Sequence, residues 1–148
     1  MKKILFFAAS LMLMVACGEK GKEYVFFAGV TGSSGPNCHT FEYNVNPDTL
    51  TLNGVADGDS TDVTLKLRFE HKAGAEVKPF DENWYVKVRG RDDAEGVELS
   101  LYSNEEGMAA VKNLPEGQTA ELVFTGKAAT ADLEKLNSQK AWTTVIMN

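Results

Sequence analysis

The chain has 148 residues, with 15 basic and 21 acidic side chains and a formal net charge of −6. This length suits one domain with a hydrophobic core. The acidic balance argues against a nucleic-acid partner and against binding to anionic lipid through a basic patch.

The N-terminal apolar segment is too short to span a bilayer. Lys2 and Lys3 precede residues 4–16, which are apolar apart from Ser10. A transmembrane helix needs about 20 apolar residues. A basic start, a short apolar run and then small residues are typical of a secretory signal peptide. The sequence therefore predicts export.

The end of this segment, Leu13-Met14-Val15-Ala16-Cys17, resembles the lipobox of bacterial lipoproteins. The resemblance implies cleavage after Ala16 and a lipid on the Cys17 sulfur. Residues 1–16 are then the signal peptide and residues 17–22 a lipidated tether, and the membrane is a partner only through the lipid. Ordinary secretion with cleavage after Gly18, or an uncleaved anchor, are the alternatives.

The residue after Cys17 bears on localisation. In lipoproteins of this type an Asp at that position retains the protein in the inner membrane, and Gly18 stands there instead. The resemblance therefore implies a cell-envelope protein anchored in the outer membrane, on a face that the sequence does not identify.

Eight segments in residues 23–148 have the pattern or composition of strands. The clearest is 62–70, where Val63, Leu65, Leu67 and Phe69 alternate with charged or hydroxyl residues. Such period-two alternation predicts a half-buried strand. The other predicted strands are residues 24–30, 40–45, 49–55, 84–89, 97–101, 120–124 and 143–147. Only Thr130–Gln139 has a helical pattern, of about two turns.

Short strands separated by turn residues favour an all-β fold. Residues 114–119, Leu-Pro-Glu-Gly-Gln-Thr, resemble the start of a late strand in bacterial immunoglobulin-like domains. We predict one domain at 23–148, an antiparallel immunoglobulin-like β-sandwich of about 7–8 strands with one short C-terminal helix. Its inward-facing residues include Leu65, Leu67, Val86, Val88, Leu99 and Leu122.

The cysteines and histidines form no recognisable motif. With Cys17 lipidated, Cys38 has no intramolecular partner, and either a buried thiol or an intermolecular disulfide fits an exported protein. His39 and His71 are not spaced as ligands, and we predict that both are surface residues. Gly29–Gly35 is predicted to be a flexible loop, because Pro36 and Asn37 follow it instead of the Gly-Lys-Ser/Thr of a phosphate loop. No cofactor is predicted.

Two sets of residues are candidates for ligand binding. Asp57, Asp59 and Asp62 cluster before the clearest strand, and calcium prefers clustered carboxylates; the acidic turn 92–95 is a lesser candidate. Tyr85 lies on the polar face of its predicted strand, and Trp142 follows the polar helix. If both are exposed, their rings could stack against sugars.

Three hypotheses for function follow. The first is a non-enzymatic, lipid-anchored envelope lipoprotein that binds another protein or a cell-wall glycan. The second is a carbohydrate- or calcium-binding module on the same scaffold. The third is a hydrolase with a carboxylate pair. Exposed aromatic rings on one face would favour the second, and a hydrophobic exposed strand edge would favour the first. A deep pocket that holds two carboxylates or His39 would favour the third.

Overall fold

The computed structural model describes residues 21–44 and 48–148. The predicted signal peptide 1–16 and the predicted lipidation site Cys17 lie outside these residues. The described chain forms eight strands and two short helices: β1 Lys22–Ser34, β2 Phe41–Asn44, β3 Thr49–Asp57, β4 Ser60–His71, β5 Tyr85–Gly90, β6 Glu98–Tyr102, α1 Glu105–Lys112, β7 Thr119–Ala129, α2 Thr130–Leu136 and β8 Lys140–Ile146.

Seven of the strands close into a barrel, so the prediction of an immunoglobulin-like sandwich is wrong. The strand order is β4-β3-β1-β8-β5-β6-β7, and β7 pairs back to β4. The pair β1–β8 is parallel, whereas the other pairings are antiparallel. The sheet is therefore mixed, and β2 is an eighth strand that adds to it beside β4.

The closure depends on the length of β4. One side of β4 pairs with β7 along residues 60–70. Its other side pairs first with β3, at residues 60–64, and then with β2, at residues 68–71. A sandwich and a barrel share the same inward and outward alternation along each strand. The alternation in the sequence therefore predicts the strands but does not distinguish the two architectures.

The barrel interior is filled by side chains. All six residues that the alternation places inside are buried: Leu65, Leu67, Val86, Val88, Leu99 and Leu122. Trp84, the residue before β5, also has no exposed surface. The ring centroids of Phe41, Phe69 and Phe80 lie 5.2, 5.5 and 5.5 Å from Trp84. Such aromatic contacts add to the burial of apolar area in stabilising the core.

The two helices bury apolar residues against the barrel. The predicted C-terminal helix is present as α2, with Leu133 and Leu136 buried. The other helix, α1, is not predicted from the sequence. It begins after Asn104, and the Asn104 side chain accepts a hydrogen bond from the Gly107 N–H at 2.7 Å. Among the described residues, neither helix has the length and apolar character that crossing a membrane requires.

The predicted glycine-rich loop is mostly strand. β1 continues through residues 29–34, where it pairs with β8, and the turn begins only at Gly35. Gly35 has a φ of +105°, and a Cβ there would lie 2.4 Å from the Met147 carbonyl oxygen. A glycine is therefore required at this position, and the prediction of a flexible loop is wrong for residues 29–34.

Candidate functional site

The outer faces of β6, β5 and β8 form one continuous surface, which we call the aromatic face. Antiparallel register aligns three rows of outward residues across these strands. The rows are Tyr102, Tyr85 and Ile146; Ser100, Lys87 and Thr144; and Glu98, Arg89 and Trp142. The residues between them on each strand are buried, for example Val86, Leu101 and Val145. Strand alternation therefore turns the nine side chains toward solvent.

Two tyrosines stand at one end of the aromatic face. Tyr85 and Tyr102 are directly opposite each other in the register. Their rings are stacked, with centroids 5.1 Å apart and an interplanar angle of 29°. Tyr102 is 50% exposed, so this pair presents a large apolar surface to water.

Trp142 stands at the other end of the aromatic face and is 48% exposed. The Arg91 guanidinium lies 5.1 Å from the ring centroid, a cation–π contact that helps to fix the indole. Trp142 also lines an open cavity of about 320 Å³ together with Lys87, Arg89 and Thr144. This volume is within the range of small-molecule sites, about 300–1,000 Å³.

The structure brings together the two aromatic candidates from the sequence. Tyr85 pairs with Ile146, which is four residues beyond Trp142 on β8. At a rise of about 3.3 Å per residue, the two aromatic ends are about 13 Å apart along the strands. Sequence reasoning missed Tyr102, although the alternation of Leu99 and Leu101 already placed it outside.

Two of the three predicted metal ligands, Asp57 and Asp62, contact a lysine. The Lys127 ammonium lies 3.1 Å from an Asp57 oxygen and 3.0 Å from an Asp62 oxygen. These contacts, first with Asp62 and then with Asp57, raise the pKa of Lys127. Asp59 is exposed in the turn, where its carbonyl accepts a hydrogen bond from the Thr130 N–H. The ammonium therefore takes the place between the carboxylates that a bound cation would occupy.

The acidic turn at residues 92–95 gives no metal site either. Asp92 and Asp93 are exposed in a single 3-10 turn, Asp92–Ala94, with Glu95 exposed beyond it. Across residues 21–44 and 48–148, no three His, Cys, Asp or Glu side chains are grouped so that they could hold a metal ion. The calcium hypothesis thus receives no support from the geometry.

His71 is buried, so the prediction that it is a surface residue is wrong. It is only 6% exposed, because it lies on the same inward-facing side of β4 as Leu67 and Phe69. Its Nδ1 lies 2.6 Å from the Leu114 carbonyl oxygen and its Nε2 lies 2.7 Å from the Ala75 carbonyl oxygen. Both nitrogens can donate to these acceptors only when the ring is protonated.

The hydrogen bond to the Ala75 carbonyl is the main cause of a raised pKa at His71. Burial of the ring opposes this shift, while the Leu114 carbonyl and the Glu116 carboxylate add to it. The ring thus joins the end of β4 to the loops around residues 75 and 114. This role is structural and lies away from the aromatic face.

Neither of the remaining sequence candidates forms a catalytic arrangement. His39 is exposed, and Cys38 is a partly buried free thiol. Glu42 and Glu70 are opposite each other on β2 and β4, beside an open cavity of about 510 Å³. Both glutamates are exposed, whereas a general acid usually needs an apolar pocket that keeps it protonated. We therefore assign no catalytic role to this pair.

No protein-family model, curated protein or solved structure matches this chain. The chemistry of the aromatic face is therefore the basis for assigning a function.

Proposed function

We propose that this protein is a lipid-anchored, non-catalytic module of the cell envelope that binds carbohydrate through its aromatic face. Its partners are then the membrane, through a lipid on Cys17, and a glycan of the envelope or its surroundings. Of the hypotheses drawn from the sequence, carbohydrate binding has the most support from the geometry.

Three aromatic side chains on one exposed face support this function most directly. The C–H faces of a sugar ring are apolar and pack on aromatic rings, while its hydroxyl groups need polar partners. Tyr85, Tyr102 and Trp142 supply the rings, and the hydroxyls of Ser100 and Thr144 lie between them. Because the two aromatic ends are about 13 Å apart, the face suits an oligosaccharide better than a single sugar.

The closed barrel makes protein docking at a sheet edge a weaker alternative. An unpaired edge offers N–H and C=O groups to an added strand, and barrel closure removes such edges. The seven barrel strands are each paired on both sides. Among the described strands, a free edge remains on the four-residue β2, which pairs with β4 alone. A protein partner therefore has little edge to extend and would have to bind mainly an outer face.

The anchor comes from the resemblance of residues 13–17 to a lipobox. A single acyl chain binds membranes only marginally, whereas two or more anchor a protein stably. Gly18 in place of Asp supports the outer membrane. Because β1 already includes Lys22, the proposed tether is reduced to residues 17–21, and it would hold the barrel close to the bilayer.

Binding of the full-length protein to a panel of purified envelope polysaccharides tests this function. We expect Trp142→Ala to weaken binding by about tenfold or more, because truncation of an aromatic residue at the centre of a contact costs about 2 kcal/mol or more and about 1.4 kcal/mol corresponds to tenfold. Val55→Ala is a matched control, since Val55 is an exposed apolar residue on the outer face of β3. Equal binding by the wild type and Trp142→Ala would refute the proposal, as would the failure of every polysaccharide to bind.

A further inference from the structure

We infer that the aromatic face selects acidic carbohydrate, that is, glycans that carry carboxylate or sulfate groups. This inference rests on the proposed function and adds the chemical class of the ligand. It depends on the charges around Trp142 rather than on the aromatic rings.

The surface around Trp142 is basic although the chain as a whole is acidic. Four cationic side chains are involved, and only one acidic side chain, Glu98, lies in the three rows. The cations are Lys87 and Arg89 on β5, Arg91 just beyond β5, and Lys140 on β8, two residues before Trp142. With a net charge of −6 for the whole chain, this concentration of positive charge is local to the face.

Most of these cations lack an ion-pair partner. Arg89 contacts Glu98, with Nε and the carboxylate oxygen 3.5 Å apart. Lys87, Arg91 and Lys140 form no ion pair with any residue that the structure describes. An anionic ligand would supply the missing charge.

The nearest acidic residues do not neutralise the face. Asp92 and Asp93 follow Arg91 in the chain but lie in the exposed 3-10 turn. Within the described chain, neither carboxylate is in ion-pair contact with Arg89 or Arg91. Instead, the Arg91 guanidinium lies over one face of the Trp142 ring, and Trp142 is still 48% exposed.

Lys87 places a positive charge within the aromatic face itself. It occupies the middle row, between Ser100 and Thr144, and is partly exposed. It also lines the cavity of Trp142 together with Arg89. An acidic group on a sugar that stacks on Trp142 would therefore meet an ammonium and a guanidinium, and charge-assisted hydrogen bonds of this kind are roughly twice as strong as neutral ones.

Single-stranded nucleic acid is the competing ligand for a surface of aromatic and basic residues. Binding to a phosphate backbone usually needs a basic domain that makes several phosphate contacts. The three rows of the aromatic face also contain the hydroxyl side chains of Ser100 and Thr144 beside Lys87. Hydroxyl partners of this kind match the hydroxyl groups of a sugar, so we take acidic carbohydrate as the ligand.

The test compares acidic polysaccharides with their carboxyl-reduced forms, which keep the sugar backbone but lose the charge. Affinities for the full-length protein are measured by calorimetry with polygalacturonate and alginate, each with its reduced form, and with an oligothymidylate. We expect at least one acidic polysaccharide to bind at least about tenfold more tightly than its reduced form. This difference in affinity should become smaller as the salt concentration is raised.

Two lysine variants test whether the aromatic face causes the higher affinity for the acidic form. Lys87→Gln should lower the affinity for the acidic polysaccharide by about tenfold and leave the affinity for the reduced form unchanged. Lys66→Gln, on the outer face of β4, is the matched control and should bind as the wild type does. An equal loss of affinity for the acidic and the reduced form would mean that Lys87 does not recognise the acidic group. This result would overturn the inference.

The remaining outcomes separate the two proposals. Equal affinity for the acidic and reduced forms would overturn the selection for charge while leaving carbohydrate binding in place. Binding of the oligothymidylate as tightly as the acidic polysaccharide would also overturn it, since the face would then read negative charge without a sugar. Failure of all the polysaccharides, neutral and acidic, would overturn both proposals.

Discussion

His71 shows how a single buried residue can make the stability of the fold depend on pH. The ring is enclosed, and each of its two nitrogens faces a backbone carbonyl oxygen. If the ring were neutral, one nitrogen lone pair would face a carbonyl oxygen without a proton between them. Two buried acceptors that face each other without a hydrogen bond destabilise the folded state. The folded protein therefore binds the ring proton more tightly than the unfolded chain does.

The sign of the pH effect follows from this proton affinity. The pKa of His71 is raised in the folded state, so its contribution to stability is complete below the unfolded pKa of about 6.5. That contribution is lost as the pH rises through the folded pKa. We expect the urea concentration at the unfolding midpoint of the wild type to decrease as the pH rises from below 6.5 through the raised folded pKa of His71. His71→Gln should remove most of that slope.

His39→Gln is the matched control for this measurement. His39 is exposed, and removing its ring should leave the pH dependence of the wild type unchanged. If His71→Gln kept the full slope, the protonated ring would not be the source of the effect.

At the scale of the strand, β4 carries the closure of the barrel. Leu67 is buried in its centre and lies opposite Leu122 of β7 in the register. Leu67→Ala should lower the free energy of unfolding by about 2–5 kcal/mol, because the substitution removes buried methyl groups and leaves a cavity. Denaturant titration of the protein measures the loss.

Lys66→Ala serves as the control for Leu67→Ala. Lys66 is the next residue on the same strand but faces outward, and surface substitutions usually change stability by less than about 0.5 kcal/mol. A loss below that value for Leu67→Ala would be incompatible with the inward position of this side chain.

The sequence was most informative where alternation was regular. The pattern of Val63, Leu65, Leu67 and Phe69 located β4 and its inward face, and the same pattern should have placed His71 inside. The strand prediction failed where glycines interrupt the alternation, since residues 29–34 continue β1 in spite of Gly29 and Gly32. No helix was predicted at α1, because its eight residues are too few to show a clear helical period.

The strand pairings were beyond what local patterns encode. Closure depends on β1 meeting β8 in parallel and on β4 meeting β7, contacts between segments far apart in the chain. The sequence alone identifies two residues of the aromatic face, Tyr85 and Trp142, as candidates for ligand binding. Their common location and the cations beside them follow from the strand order, which alternation does not specify.

For the whole molecule, the barrel's geometry relates the proposed anchor to the proposed binding face. The proposed tether joins the barrel at the start of β1, where the Lys22 ammonium contacts Glu134 of α2 at 2.5 Å. β8 begins shortly after α2, so Trp142 lies nearer to this end of the barrel than Tyr85 does. A glycan lying along the face would therefore extend from the tethered end toward the tyrosine pair.

The anchor itself is tested at Cys17. Cys17→Ser removes the only thiol in the proposed lipobox, so the thioether to diacylglycerol cannot form. Because the resemblance to a lipobox implies both the lipid and the cleavage at Cys17, we expect an unprocessed precursor that migrates more slowly in a denaturing gel and incorporates no labelled fatty acid. Cys38→Ser is the matched control, because it removes the other cysteine of the chain and should be acylated and cleaved as the wild type is. Labelled fatty acid on the Cys17→Ser protein, or normal processing of it, would show that the lipid is not carried by this residue.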